Sequence, residues 1–209
     1  MTESEQRSAP GRPKTFDRER AIDVAIDSYW REGPNRISLN EVCRRAEISK
    51  PGVYREFGNE DGLVEAALVR YSELQLAPLI EMVSSDAPFE EALDSVITAM
   101  IEPPTDRPTG CLLAKMRASR DELGPLARAQ VDELRETFIA TYQRWIERAQ
   151  DDGQVDPSIP PELAARFVDA QFNNILGQVA AGEDPEMIRA QARLAFAGLC
   201  GRAGLDPGV

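Results

Sequence analysis

Histidine is missing from this 209-residue chain, and aromatic residues make up only 6% of it. Without histidine, proton transfer near neutral pH would fall to carboxylates, lysine or tyrosine. No serine, cysteine or carboxylate lies in a recognisable catalytic pattern. We therefore do not expect an enzyme.

Cysteines and long apolar runs are also scarce. The three cysteines, Cys43, Cys111 and Cys200, match neither a metal-binding spacing nor a disulfide framework. No apolar run approaches the roughly 20 residues that cross a bilayer, and the polar, acidic first residues do not resemble a signal peptide. These absences predict a reduced, cytoplasmic protein without a metal, a cofactor or a membrane partner.

The net charge of −12 is unevenly distributed. Through Gly62 the chain has 11 basic and 12 acidic residues, whereas the remainder has 13 basic and 24 acidic residues. An acidic body repels DNA, so any DNA contact would be confined to the N-terminal part. We expect such binding to depend strongly on salt.

Residues 38–57 have the pattern of a helix-turn-helix, whose second helix fits the DNA major groove. Ser38 and Glu41 can form a capping box at the start of the first helix. Ser49 can cap the second helix, with Pro51 tolerated in its first turn. The core-facing residues of this second helix are Val53 and Phe57, and the residues left facing outward are Lys50, Gly52, Tyr54 and Arg55.

A further amphipathic helix is predicted upstream, over residues 16–32, and Gly33 and Pro34 end it. Three helices in this order, with the third exposed and basic, form a compact DNA-binding unit. Arg12 and Lys14 lie in a basic, proline-stiffened arm before the unit. Such arms often follow the DNA backbone or enter the minor groove.

Residues 11–68 resemble the DNA-binding domain of the TetR family of bacterial transcriptional regulators. The resemblance rests on the opening GRPKTFDRERAIDVAIDSYWREG, the block SLNEVCRRAEISKPGVYREFGNEDGL and the helical continuation through Leu68. It implies an all-helical homodimer whose N-terminal domains bind a palindromic operator and whose C-terminal domains bind a small ligand that releases the DNA. The block GCLLAKM at residues 110–116 is similar to a motif of some TetR-like regulators.

Two positions depart from the family pattern. Members usually carry glycine where this chain has Glu47, and a positive φ there would cost a non-glycine residue roughly 1 kcal/mol. We therefore expect either strain or a differently built turn. Members commonly carry a phosphate-contacting lysine near Glu60, where an acid starts a helix well but cannot bind phosphate.

The residues expected to contact DNA are Arg12, Lys14, Ser38, Arg44, Ser49, Lys50, Gly52, Tyr54 and Arg55. Hydroxyl groups such as that of Tyr54 are common donors to phosphate, although half-buried packing would explain the same residue. For Arg44 alone, a solvated surface position is the simpler interpretation. Gly52 either lets the backbone approach DNA or relaxes the helix start beside Pro51.

The rest of the chain has helical periodicity without strand-like alternation, which predicts an all-α fold of about nine helices. We predict a flexible basic arm at residues 1–14, a helix-turn-helix domain at 15–62, a helical ligand-binding and dimerisation domain at 63–200, and a flexible tail at 201–209. The body helices are expected at residues 63–83, with a bend at Pro78, and at 89–101, 110–119, 123–149, 161–181 and 185–200. Residues 102–109 form a loop.

Large side chains on the body helices are candidates to line a cavity for a mostly apolar ligand. They are Met100, Cys111, Met116, Phe138, Tyr142, Trp145 and Phe172. The alternative is an ordinary core, because apolar stripes at helical spacing are more often core than pocket. Cys111 lies near Lys115 and Arg117, which would favour a redox sensor, but a small buried hydrophobe is the simpler interpretation.

The last two long helices are expected, from the resemblance, to pair with their copies in a homodimer. The expected contacts are Phe167, Gln171, Asn174, Gln178, Ile188, Ala192 and Phe196. Packing within one chain is the alternative. The favoured function is a repressor that a small molecule releases from a palindromic operator. A regulator controlled by a protein partner or by cysteine oxidation, or a transcriptional activator, stays open.

Overall fold

The computed structural model describes residues 16–104 and 107–200, which contain helices and no strand. The helices are α1 (Arg18–Glu32), α2 (Leu39–Ala46), α3 (Lys50–Phe57), α4 (Glu60–Tyr71), α5 (Ala77–Ser84), α6 (Phe89–Ile101), α7 (Leu112–Ala118), α8 (Pro125–Asp151), α9 (Pro161–Ala181) and α10 (Pro185–Phe196). A π-helical segment (Ser72–Leu76) joins α4 to α5 without a break, so these two ranges hold nine helices when that stretch is counted once. The predicted all-α fold is confirmed.

Side-chain caps set the start of most N-terminal helices. Asp17 accepts a hydrogen bond from the amide of Arg20 at 3.0 Å, so α1 begins at Arg18, two residues later than predicted. Capping residues of the same kind precede α2, α3, α4 and α10, namely Ser38, Ser49, Asn59 and Asp184. Each cap satisfies an amide that has no partner within the helix.

The long helix of residues 60–84 changes to π-helical geometry just before Pro78, where the sequence predicted a bend. The amide of Ala77 donates to the carbonyl of Ser72, five residues earlier, which is the π-helical spacing. Pro78 has no amide hydrogen, and its ring would collide with a carbonyl four residues back in a regular α-helix. The wider π turn therefore accommodates the proline without ending the helix.

Helices α1 and α3 pack on α4, α2 packs on α1 and α3, and we call α1 to α3 the head. Its centre is filled by Tyr29 from α1, Val42 from α2, Val53 from α3 and Leu63 from α4, all of them buried. Because α4 runs on through the π segment into α5, one continuous helix connects the helices that pack on α4 to the rest of the protein.

Helices α5 to α10 form the body, in which α8 packs along α9 and also against α4 and α5. The buried side chains of head and body form one continuous apolar cluster. None of the helices in the described ranges combines the length and the apolar character that a bilayer crossing requires.

Two helices of the body, α7 and α10, are shorter than predicted. Helix α10 ends at Phe196 rather than at residue 200, and α7 covers Leu112–Ala118 rather than 110–119. Gly110 has φ 82°, a conformation that favours glycine and that interrupts helical geometry.

Candidate nucleic-acid interface

Helix α2 begins with the serine half of the predicted capping box, whereas the Glu41 side chain binds two arginines. The hydroxyl of Ser38 accepts a hydrogen bond from the amide of Glu41 at 3.3 Å. The carboxylate of Glu41 accepts hydrogen bonds from Arg44 and Arg45, and these two guanidinium groups lower the pKa of Glu41 to about 2. Ser38 is therefore the N-cap of α2, and it is exposed at the surface of the head.

The turn between α2 and α3 passes through Glu47 in the left-handed region, at φ 56° and ψ 37°. Glu47 is the non-glycine residue with positive φ in the described ranges. The turn thus has the backbone conformation that a glycine would favour, and a residue with a Cβ there costs about 1 kcal/mol. Arg20 from α1 forms an exposed ion pair with Glu47 at 3.1 Å.

The outer side of α3 carries the polar residues that the motif predicted to face outward. Lys50 and Arg55 are exposed, and Tyr54 is 47% exposed. The ammonium of Lys50 lies 5.9 Å from the centre of the Tyr54 ring, so the two side chains form one patch. Ser49 accepts a hydrogen bond from the amide of Gly52 at 3.2 Å and so caps α3. Val53 is fully buried and holds the opposite side of α3 in the head.

Gly52 does not face outward, contrary to the sequence prediction. It is buried, and a Cβ placed on it would lie 2.4 Å from Cδ2 of Phe16. The Phe16 ring also packs edge-on against the Phe57 ring, with 6.2 Å between the ring centres. Gly52 is therefore small because the Phe16 ring packs directly on α3, which corrects its assignment as a DNA contact.

The two arginines at the end of α2 have different settings. The Arg44 side chain is 72% exposed, although it forms an ion pair with Glu41 at 2.6 Å. The Arg45 side chain is only 31% exposed and binds Glu41, Glu32 and Ser28. Arg44 is thus available at the surface, whereas Arg45 joins α2 to α1.

Two further expectations concern the arm and the start of α4. Arg12 and Lys14, with the rest of the predicted arm at 1–14, lie outside the described residues, as does the predicted tail at 201–209. Glu60 is exposed in the first turn of α4, and Asn59 caps that helix by accepting from the amide of Gly62 at 2.8 Å. The acid that replaces the family's lysine therefore lies in the helix-starting position that the sequence predicted.

A cavity of ≈ 290 Å³ lies where the head meets the body. Its lining includes Trp30 from α1, Tyr71 from α4, Gln75 from the π segment, Leu176 from α9 and the loop residue Arg107. Of the residues that the sequence assigned to a ligand cavity, it contains Met100 and Cys111. No local sequence pattern marked Trp30 or Gln75 as lining residues, because each reaches the cavity only through the way its helix packs on others.

Hydrogen bonds fix the aromatic wall of this cavity. The Tyr71 hydroxyl donates to Sγ of the half-buried Cys111 at 3.3 Å and accepts from the amide of Leu112 at 3.2 Å. Burial raises the pKa of Tyr71 far above its ordinary value, so this hydroxyl keeps its proton. The indole N–H of Trp30 donates to the carbonyl of Gly110 at 3.0 Å, and its ring meets the Tyr71 ring edge-on.

The other residues predicted to line this cavity do not do so. Trp145 stacks on Phe89, with 4.5 Å between ring centres, and borders a separate depression of ≈ 140 Å³. The remaining four are buried core residues, namely Met116, Phe138, Tyr142 and Phe172. The aromatic members of this group pack on one another through ring contacts, so their helical stripe is core, which was the alternative interpretation.

Three of the residues predicted to form a dimer contact are buried within the single chain. They are Ile188, Ala192 and Phe196, and the Phe196 ring packs against the rings of Phe167 and Phe172. The apolar stripe of α10 therefore faces α9 and the core, which corrects their assignment. Of the rest, Asn174 is exposed, and Phe167, Gln171 and Gln178 are half-buried, with Gln178 donating to Gln191 at 2.9 Å.

A capped helix pair with a polar, exposed second helix, carried on a larger helical body with a cavity, defines the class of helix-turn-helix DNA-binding regulators. Residues 21–67 match the profile described as bacterial regulatory proteins of the tetR family. Residues 90–195 match the profile described as the C-terminal domain of tetracyclin repressor-like proteins. The chain belongs to the TetR family of DNA-binding transcriptional regulators.

Individual proteins agree with this assignment. The chain is 33% identical over 106 residues to the transcriptional repressor ComR of Escherichia coli, an alignment that spans 49% of this chain and 50% of ComR. It is 29% identical over 154 residues to the repressor BdcR of Escherichia coli, spanning 72% of this chain and 78% of BdcR. A cysteine variant of the TetR family regulator CifR, solved with 26-base-pair operator DNA, has the same fold with a TM-score of 0.74, 22% identity and coverage of 90% and 100%.

Proposed function

We propose that this protein is a transcriptional repressor that binds a palindromic operator as a homodimer and leaves it when a small molecule fills the cavity. The observation that carries the proposal is the outer side of α3, where Lys50, Tyr54 and Arg55 are exposed on a helix anchored by Val53. ComR and BdcR are repressors by name, and the CifR structure contains operator DNA. A protein with this role works in the cytoplasm and needs no catalytic group.

The cavity favours a compact, mostly apolar ligand. Its volume of ≈ 290 Å³ is close to the lower end of the range for small-molecule sites, which is about 300 Å³. Apolar and aromatic side chains form most of its lining, and the Trp30 and Tyr71 polar atoms already have partners in the chain. The charged residues Glu102 and Arg107 are exposed, so they can meet polar groups of a ligand at the surface.

The outer surfaces of α9 and α10 are the proposed dimer interface. Three large apolar side chains on these helices are exposed in the single chain: Leu163 at 60%, Met187 at 54% and Leu194 at 79%. A contiguous patch of exposed apolar side chains marks a protein–protein contact, and these three lie on the two helices that the resemblance assigns to the dimer. Asn174 and Gln178, which the sequence also assigns to the dimer contact, lie on α9.

The proposal is tested by isolating DNA fragments that the purified protein retains and then measuring the affinity for the selected sequence. We expect an inverted repeat, because two heads related by a two-fold axis read the same sequence on opposite strands. Replacing Lys50 by alanine should weaken binding and lower the slope of log affinity against log salt by about one if Lys50 contacts phosphate. If Lys50 contacts a base, the loss should instead concentrate at one base pair.

Arg144→Ala is the matched control, because it removes one exposed positive charge from α8, away from the head. Circular dichroism should show that both variants stay folded. Wild-type DNA affinity in the Lys50→Ala protein, or equal losses of affinity in both variants, would refute the assignment of α3 as the recognition helix, the helix that enters the major groove.

A further inference from the structure

The longest helix of the body is capped by a residue of another helix. Gly124 occupies the N-cap position of α8 and has no side chain that can accept the first amides. Instead, Asp61 in the first turn of α4 binds them: Oδ2 accepts from the amide of Leu126 at 2.8 Å and Oδ1 from the amide of Ala127 at 3.0 Å. The carboxylate also faces the positive end of the α8 dipole.

This contact requires glycine at position 124. A Cβ on Gly124 would lie 2.3 Å from Cγ of Asp61 and 2.4 and 2.6 Å from its two carboxylate oxygens. Any side chain there would displace Asp61. Gly124 and Asp61 therefore depend on each other: α8 has no side-chain cap of its own, and Asp61 of α4 supplies the cap.

The Asp61 contact lies close in sequence to α3, the helix proposed to enter the major groove. Asp61 follows the end of α3 at Phe57 by four residues, so the carboxylate joins this region to α8. A second attachment joins the far end of α1 to the body, where Trp30 donates to Gly110 and its carbonyl accepts from Lys115. A third attachment is the hydrogen bond that Asn35, in the loop before α2, donates to Glu122 just before α8. Several separate attachments oppose a rotation of the head that a single attachment would allow.

We propose that Asp61 is a positioning residue for operator binding: by capping α8 from α4, it fixes the orientation of α3 relative to the body. In a dimer, fixed heads hold the two recognition helices at the separation that the two half-sites require. Heads that can rotate lose part of this preorganisation, and affinity falls with it. This inference rests on the proposed function, since it concerns how the dimer holds DNA.

A double variant separates this role from simple stabilisation of α8. Asp61→Ala removes both the cap and the attachment. Adding Gly124→Ser restores a cap within α8, because Gly124 has φ −67° and ψ 169°, the extended conformation of serine caps, and the clash with Asp61 is gone. We expect Asp61→Ala/Gly124→Ser to regain most of the thermal stability lost in Asp61→Ala, while its affinity for the selected operator stays about tenfold below that of the wild type.

Glu65→Ala is the charge-matched control, because it removes one acid from α4 without touching α8, and we expect it to bind the operator at least as tightly as the wild type. Hydrogen exchange of the α2 and α3 amides should show that the head itself stays folded in all variants. If the Asp61→Ala proteins do not fold, the comparison is made with Asp61→Asn, where weaker operator binding is expected.

The outcomes distinguish this inference from the proposed function. Wild-type operator affinity in the double variant, or in Asp61→Asn where that variant is used, would overturn the positioning role alone. Failure of the wild-type protein to select any operator would overturn the proposed function. Lower affinity that returns fully when Gly124→Ser restores stability would mean that Asp61 only caps α8, and that result also overturns the inference.

Discussion

Replacing Asp169 by asparagine should lower the free energy of unfolding by about 2–3 kcal/mol. The Asp169 side chain is 7% exposed and forms a bidentate ion pair with Arg117: Nη1 donates to Oδ1 at 3.0 Å and Nη2 to Oδ2 at 2.9 Å. Arg135 lies 3.6 Å from the same carboxylate, and Asn173 donates to it at 3.2 Å. One carboxylate on α9 therefore joins α7 and α8.

The magnitude follows from the burial of the partners. Removing one member of a fully buried ion pair costs about 3–5 kcal/mol, because a buried charge is left without a partner. Here the Arg117 side chain is 22% exposed and the Arg135 side chain 42% exposed, so water can partly replace Asp169. Asparagine also keeps one acceptor oxygen. Both effects reduce the cost to the lower part of that range or just below it.

The assay is urea unfolding followed by circular dichroism at a fixed protein concentration, since dimerisation makes stability depend on concentration. The double variant Arg117→Met/Asp169→Leu provides the control, because replacing both charges with apolar groups is often close to neutral. We expect it to be more stable than Asp169→Asn. A loss below about 1 kcal/mol in Asp169→Asn, or a double variant whose loss equals the sum of the two single losses, would refute the reasoning.

Two further predictions concern exposed positions. Leu194→Glu should dissociate the dimer and weaken operator binding while the chain stays folded, because Leu194 is 79% exposed. Phe196→Glu should instead unfold the chain, because Phe196 is 1% exposed. Light scattering and circular dichroism distinguish the two outcomes, and a stable Leu194→Glu dimer would contradict the proposed interface. Glu47→Gly should be about 1 kcal/mol more stable than Glu47→Ala in thermal unfolding. Both variants lose the ion pair with Arg20, but only glycine adopts the left-handed conformation of residue 47 without strain. Equal stabilities would mean that the turn is not strained.

The head was predictable because its signals are local. A serine just before an apolar stripe marks a helix start within three residues, and Ser38 and Ser49 each cap a helix in the structure. Asp17 is a signal of the same kind that the prediction did not use, and the start of α1 was therefore predicted two residues too early. The strain at Glu47 was also foreseeable from a local signal, since the resemblance identified the position and the conformation depends on one residue. Gly52 was misassigned because its neighbour Phe16 lies 36 positions earlier in the chain, where no helical period connects them.

The cavity and the dimer surface were less predictable, because both depend on how helices face one another. Periodicity finds an apolar stripe on α10, but it does not tell whether the stripe meets another part of the chain or a second copy. Phe196 meets Phe167 and Phe172, and the exposed Leu194 lies on another side of the same helix. Similarly, Asp61 reads as a good first-turn acid of α4, and nothing near it in sequence indicates its partners on α8.

Trp30 explains how a ligand in the body could act on the head over a short distance. It belongs to α1 of the head, yet its ring lines the cavity, and its indole N–H and carbonyl bind Gly110 and Lys115 of the body. If a bound ligand shifts the head away from the orientation that binds DNA, a hundredfold loss of operator affinity requires a free-energy difference of about 2.7 kcal/mol between that orientation and the shifted one. A typical neutral hydrogen bond contributes about 1 kcal/mol and one to a charged group about 1.5–3 kcal/mol. A ligand that displaces both Trp30 bonds would therefore supply a free-energy change of the required size without any rearrangement of the body core.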